Sequence, residues 1–461
     1  MQKFSDIPST QRLDAIIPAS LFIAVLSISI LQYSTYLIHN DFIDKLIKAV
    51  TIVFLLFSIK RYRLLREVRI LLFLYCALFG SAFIGAVMTL DISGISQLSK
   101  IIFSFLIFPV ILFVVPAKGE PHGLLLKMPL YWGLFFSIQS IILFLIIFFN
   151  VPIKSTIIVM GKYGDMQEIS YGILGYANGL RIFEDYSVLR AQSWFIEPSI
   201  LASYLIYPVL ASFGYYRSTK KTLYLFVSIA CIIGILITFS LAAFFSLLVS
   251  IVFLLCIRPV YKRNNYKIIG LRDYTSLLIA FIISGVCVNY VMLEINDLYV
   301  PSITSSKSIL INMIARDPEG PSGQLFREHY KYDEYINILR ENPLGIGLGF
   351  TAIAGNEKAS ANALIYWTIS GGIPAFIALL ALYAKLFYSY CLPLLKSQYY
   401  PYRFIGAAFL GTTIHGLAYS NWVYPYYLFN VAVTIICAMY EKRNKENNNE
   451  YPKLKKRLSV T

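Results

Sequence analysis

The chain has 461 residues, 57% of them hydrophobic and only 14% charged, with a formal net charge of +15. Soluble domains hold about 45–50% apolar and about 25% charged residues, so this composition excludes a water-soluble globule. In a membrane protein the surplus of positive charge reports sidedness and needs no nucleic acid to explain it.

The apolar residues are gathered into runs of about the length that crosses a bilayer. The polar stretch Met1–Arg12 leads into such a run without a small-residue cleavage site, which reads as a retained first span. In chain order the expected helices are about twelve: 15–35, 45–59, 70–90, 99–116, 128–149, 198–216, 222–238, 240–257, 275–293, 361–388, 404–419 and 424–440. The expected fold is all-α, a single polytopic membrane domain over 1–461. Two long loops interrupt it, at about 150–197 and about 294–360, and a basic tail follows at 441–461.

Basic residues cluster in the segments between helices. One group is Lys60, Arg61, Arg63, Arg66 and Arg69, and another is Arg217, Lys220 and Lys221. A third is Arg258, Lys262, Arg263, Lys267 and Arg272, and the tail adds Lys442, Arg443, Lys445, Lys453, Lys455, Lys456 and Arg457. With twelve spans all of these fall on the side of the N-terminus. Basic flanks mark the cytoplasm, so both termini are expected inside, near anionic lipid headgroups, and both long loops outside. The tail reads as a solvated end. The six cysteines, Cys76, Cys231, Cys256, Cys287, Cys391 and Cys437, lie in or beside apolar runs and form no CxxC or disulfide pattern.

The spans hold few ionisable groups, among them Asp14 at the start of the first and His415 in the eleventh. Ion-coupled carriers keep such groups at the midplane, so this scarcity weighs against an ion-coupled transporter. The first long loop ends Arg190-Ala191-Gln192-Ser193-Trp194-Phe195-Ile196-Glu197-Pro198-Ser199 and enters an apolar run. Proline after Glu197 suits the first turn of a helix, and the carboxylate there faces the positive end of the helix dipole. Two roles are open to Glu197: a helix cap, or a base at the membrane surface for a sugar hydroxyl. Trp194 has an interface depth that fits either an aromatic belt or a sugar platform.

In the second loop Tyr332, Tyr335, Ile336 and Leu339 share a helical stripe, so an amphipathic helix over about 327–340 is expected, stopped by Asn342-Pro343. Gly345, Gly347 and Gly349 then allow tight turns; no βαβ context makes them a nucleotide loop. Arg181, Arg190, Arg327 and Arg340 lie in these two loops, and planar guanidinium groups bind phosphate oxygens in pairs. Glu184-Asp185 and Asp333-Glu334 are adjacent pairs, a poor geometry for one metal, so neither a metal nor any cofactor is expected.

Arg190 through Ser203, with Glu197-Pro198-Ser199 opening a helix after an external loop, resembles the O-antigen polymerases and the related O-antigen ligases. So do Arg327, the stretch Leu339-Arg340-Glu341-Asn342-Pro343-Leu344-Gly345-Ile346-Gly347-Leu348-Gly349, then Asn362-Ala363-Leu364-Ile365 and Gly371-Gly372-Ile373. The resemblance implies an inverting, metal-independent glycosyltransferase of the bacterial inner membrane. It would join undecaprenyl-pyrophosphate-linked oligosaccharide repeats on the periplasmic face, alongside a flippase and a chain-length regulator. Carried over residue by residue, it puts Arg190 and Arg327 on the pyrophosphate, then Arg340 and Arg181. Glu197 is the candidate base, and Trp194, Tyr330 and Asn362 are candidate sugar contacts. Ser360-Ala361-Asn362 lacks the histidine that a ligase carries beside this asparagine, which favours polymerase over ligase. A lipid-linked oligosaccharide flippase is the alternative of another class.

Overall fold

The computed structural model describes residues 66–105, 123–149, 151–153, 156–159, 167–171, 174–183, 186–195, 197–257, 335–348, 363–418 and 425–458. Helices α1 (Arg66–Met88), α2 (Ile92–Phe105) and α3 (Gly123–Phe148) come first. Strands β1 (Thr156–Val159), β2 (Gln167–Ser170), β3 (Tyr176–Phe183) and β4 (Tyr186–Ser193) follow. Then come α4 (Pro198–Thr219), α5 (Thr222–Ile237), α6 (Leu241–Cys256), α7 (Ala363–Leu386), α8 (Tyr400–Ala418) and α9 (Pro425–Leu458). A short helix at 335–341 precedes α7. A π-helical turn, Phe387–Cys391, and a last turn, Leu392–Leu395, prolong α7. The segments expected at 15–35, 45–59 and 275–293 lie outside the described residues; the other expected segments each meet a helix.

Three helices among the described residues are long and apolar enough to cross a membrane: Val68–Met88, Leu126–Ile147 and Ala363–Leu395. Their outer faces are greasy rather than polar. Phe73, Phe83 and Ile84 on α1 and Ile373, Ile377 and Leu380 on α7 stand exposed. A water-facing helix carries charge there, so these faces suit hydrocarbon.

Helix α4 is the centre of the bundle. It is buried on every side from Pro198 to Tyr215, as expected of a helix that is apolar all round. Small residues set the spacing of its neighbours. A Cβ at Gly133 on α3 would meet the Pro208 ring of α4, and one at Gly411 on α8 would stand 2.9 Å from Ile206. At the far end Arg403 of α8 is fully buried, and its Nη2 donates to Leu254 O and Ile257 O, both at 2.5 Å. Those carbonyls end α6 and have no partner within the helix, so a guanidinium is a fitting acceptor's complement.

The all-helical expectation stops at the segment 150–197. Its strands form an antiparallel meander in the order β1-β2-β3-β4. Thr156-Ile157-Ile158-Val159 is a β-branched run that suits a strand, and the four strands are held by pairing with one another. The expected stripe on the 335–341 helix also needs adjustment. Tyr335 is buried against Ile369 of α7, with Ile338 beside it, but Ile336 points outward. Docking on α7 keeps Tyr335 and Leu339 of the expected stripe inward or half-buried, adds Ile338 and leaves Ile336 out. Tyr332 lies outside the described residues.

Helix α7, expected as one span over 361–388, breaks at Gly372, whose φ is 67° and ψ −160°. The break leaves carbonyls without helical donors. The chain at 343–347 supplies them: Ile346 N donates to Ile369 O and Gly347 N to Ser370 O, both at 2.9 Å. In return Ile373 N donates to Pro343 O at 3.1 Å, and Thr89, just past the end of α1, donates its hydroxyl to Ile346 O at 3.0 Å. A Cβ at Gly372 would collide with Pro343 O, and one at Gly345 would stand 2.5 Å from Gly372 N. The glycines after Asn342-Pro343 therefore do more than turn; they let one backbone lie against another.

Candidate functional site

The site is built at the head of α4, at the end of the bundle away from Arg403. Strand β4 packs on α3 and α4 and delivers Arg190, Trp194 and Glu197 there in succession. Ser193 ends the strand at φ 52°, buried, and its hydroxyl is hydrogen-bonded to Gln139 Oε1 of α3. This contact fixes where the strand stops and the turn to α4 begins. Phe195 N closes the turn on Gln192 O at 3.0 Å.

Glu197 is the N-cap residue of α4, with extended backbone (φ −141°, ψ 145°) and Pro198 next. Its backbone carbonyl accepts from Ile200 N at 3.1 Å, but its side chain makes no capping hydrogen bond. The carboxylate is exposed, and Ser199 Oγ donates to its Oε2 at 3.1 Å. Of the two roles open to Glu197, the side-chain cap is therefore absent. What remains is a carboxylate at the positive end of a helix, oriented by a serine and open to solvent.

Arg190 is half-buried, and its Nε donates to Thr238 O at 2.8 Å. Thr238 is the C-cap of α5, so the guanidinium sits on a helix C-terminus, where a cation is favoured. The register of the β3–β4 hairpin sets Asn178 opposite Arg190 and Ser187 opposite Arg181. These pairs have opposite parity, so positions 181 and 190 belong to different faces of the hairpin. Trp194 is half-buried, edge-on to Phe135 at 5.4 Å and to Phe136 at 6.3 Å between centroids. Its ring belongs to an aromatic cluster that continues through Phe195 and Tyr204. Just past β2, burial pushes the Tyr171 phenol above its ordinary value.

Arg340 is exposed on the 335–341 helix, a different platform, docked on α7. Arg327, Tyr330 and Asn362 lie outside the described residues. His415 is buried within α8 beside Thr412. Among the described residues no three His, Cys, Asp or Glu side chains converge as a metal would need. Cys231, Cys391 and Cys437 are buried thiols, while Cys76 and Cys256 are exposed.

Sequence reasoning passed over two residues. Arg403 stands one position before the expected start of its span, yet is buried in α8; its place between Tyr402 and Phe404 was the available signal. Gln139 carries the polar contact that holds β4, and a lone amide within an apolar helix is a signal of that kind. The chain matches no protein-family profile, and no curated protein matches it.

Proposed function

We propose that the chain is a membrane glycosyltransferase that polymerises undecaprenyl-pyrophosphate-linked oligosaccharide repeats at the periplasmic face of the bacterial inner membrane. The observation that carries this reading is the exposed, serine-oriented carboxylate of Glu197, which β4 sets at the head of the buried helix α4 close after Arg190 and Trp194. The sequence resemblance supplies the substrate class. A sugar–pyrophosphate bond is already activated, so the enzyme must stabilise charge on the leaving pyrophosphate and remove a proton from the acceptor hydroxyl. Arginines meet the first need by fixed positive charge. Glu197 meets the second as general base. Arg190 is the first candidate for the pyrophosphate, with Arg327 and Arg340 from the second loop; Arg181, on the other face of the hairpin, ranks below them. No divalent metal takes part in this scheme.

A flippase for the same lipid-linked saccharides is the second reading, and the break in α7 favours it, because discontinuous helices build the substrate sites of many transporters. Against it, the carbonyls freed at the break are held by the backbone at 343–347. Expressing variants in a strain that lacks the chain separates the two. For a polymerase, loss of function leaves lipid A–core bearing a single repeat; for a flippase, that band disappears as well. Glu197→Gln should cut polymerisation by at least about a hundredfold, the scale of general-base loss, with protein level and EDTA insensitivity unchanged. A normal long-chain ladder from Glu197→Gln would overturn the assignment of the base.

A further inference from the structure

At the end of the bundle opposite the sheet, lysines and tyrosines of three helices meet. The Lys127 ammonium of α3 lies 5.6 Å over the Tyr215 ring of α4. Tyr215 in turn stands 5.4 Å from Tyr224 of α5, ring centroid to centroid. The Tyr131 and Tyr224 phenols lie near each other, and both Lys127 and Lys221 lie within electrostatic reach of Tyr131. Lys221 is the exposed N-cap residue of α5, with no side-chain cap. Two cations and a phenol pair thus converge from the start of α3 and the start of α5.

The surroundings are apolar and open. Tyr131 is 41% exposed and Ile138 39% on α3; Leu223 is 48% and Phe226 55% on α5. These side chains flank the cluster along two packed helices that carry no charge beyond it. Snorkelling lysines also gather at membrane interfaces, but there each extends independently toward water. Here the Lys127 ammonium is held on the Tyr215 face beside the Tyr224 ring, so one donor is ordered before any ligand arrives.

We infer that this cluster is a binding site for an anionic phospholipid, its phosphate held between Lys127 and Lys221 with the Tyr131 hydroxyl, and its acyl chains lying along Ile138 and Phe226. Charge complementarity selects an anionic headgroup over a zwitterionic one, and the apolar flank selects a lipid over a soluble phosphate. The site is independent of the transfer chemistry at the other end of the bundle.

Native mass spectrometry of the purified full chain tests it, using phosphatidylglycerol and phosphatidylcholine with the same acyl chains as probes. The wild-type chain should retain phosphatidylglycerol preferentially. Lys127→Gln and Lys221→Gln should each lower that preference about fivefold, the ratio equivalent to about 1 kcal/mol per basic residue at an anionic surface. Tyr131→Phe, which keeps the ring and the packing, should lower it by a smaller factor, about threefold. Lys445→Gln in the tail should leave it unchanged. Equal retention of both lipids by the wild type would overturn the site, as would a Lys445→Gln effect equal to that of Lys127→Gln. Removal of the lipid by millimolar inorganic phosphate alone would overturn the assignment to a lipid.

Discussion

Arg190 and Arg403 meet the same kind of acceptor at opposite ends of the bundle. Arg190 donates to Thr238 O where α5 ends, and Arg403 donates to Leu254 O and Ile257 O where α6 ends. Their surroundings differ. Arg403 is 1% exposed and spans two carbonyls, so it is committed to the fold. Arg190 is half-buried at the edge of a sheet, with its Nε on one carbonyl, so the same residue that steadies α5 still reaches solvent. An arginine on a helix end is thus no evidence of function by itself; exposure decides whether a ligand has access.

The sharpest break of this comparison is Arg403→Met. It keeps volume but leaves two buried carbonyls without a donor, and should cost about 3 kcal/mol or more. Thermal unfolding in detergent should show a lowered transition and a reduced yield of monodisperse protein. A second variant asks whether carbonyl satisfaction matters where no charge is involved. Gly372→Ala places a Cβ against Pro343 O in a backbone region that disfavours side chains, and should cost about 1–3 kcal/mol by the same measurement.

Arg190→Lys sharpens the other half. A lysine keeps a cation at the end of α5, so stability should fall by less than about 1 kcal/mol. If the guanidinium also grips pyrophosphate, chain polymerisation should fall about 10²–10³-fold, since lysine loses the two-pronged contact. A stable Arg190→Lys protein that gives normal long chains would place Arg190 beside Arg403 as a purely structural residue. The smallest effect is expected from Glu197→Gln on unfolding, about 0.3–1 kcal/mol, because only the interaction with the helix dipole is lost.

The apolar runs were legible because hydrophobic length is a local property; the ends of α4 and α5 fall within a few residues of the expected 198–216 and 222–238. Glu197 as the entry to a helix was legible for the same reason, from proline at the next position. The sheet was not, because strands such as Gln167–Ser170 are short, partly polar and stable only through their neighbours. Nor was the purpose of Gly345 and Gly347. Their partners, Ile369, Ser370 and Gly372, lie on another element, and nothing in a local pattern announces which carbonyls a distant helix will leave open. Arg403 was hidden because the helix starts at Tyr400, four residues before the expected 404, which made a buried cation look like a flank.

The broken helix has a consequence for how the molecule is assembled. An α-helix normally enters a bilayer already complete, with every backbone group satisfied inside itself. Helix α7 does not: Ile369 and Ser370 present carbonyls that, among the described residues, the stretch around Ile346 and Gly347 answers. Left open in hydrocarbon, each would cost several kcal/mol. The preceding segment must therefore be laid against α7 as it inserts, and Thr89, at the end of α1, must already be near to donate to Ile346 O. Insertion of α7 is thus an act of tertiary folding, and chains in which the glycine stretch cannot seat should be found stalled at the translocon or degraded, not merely less active.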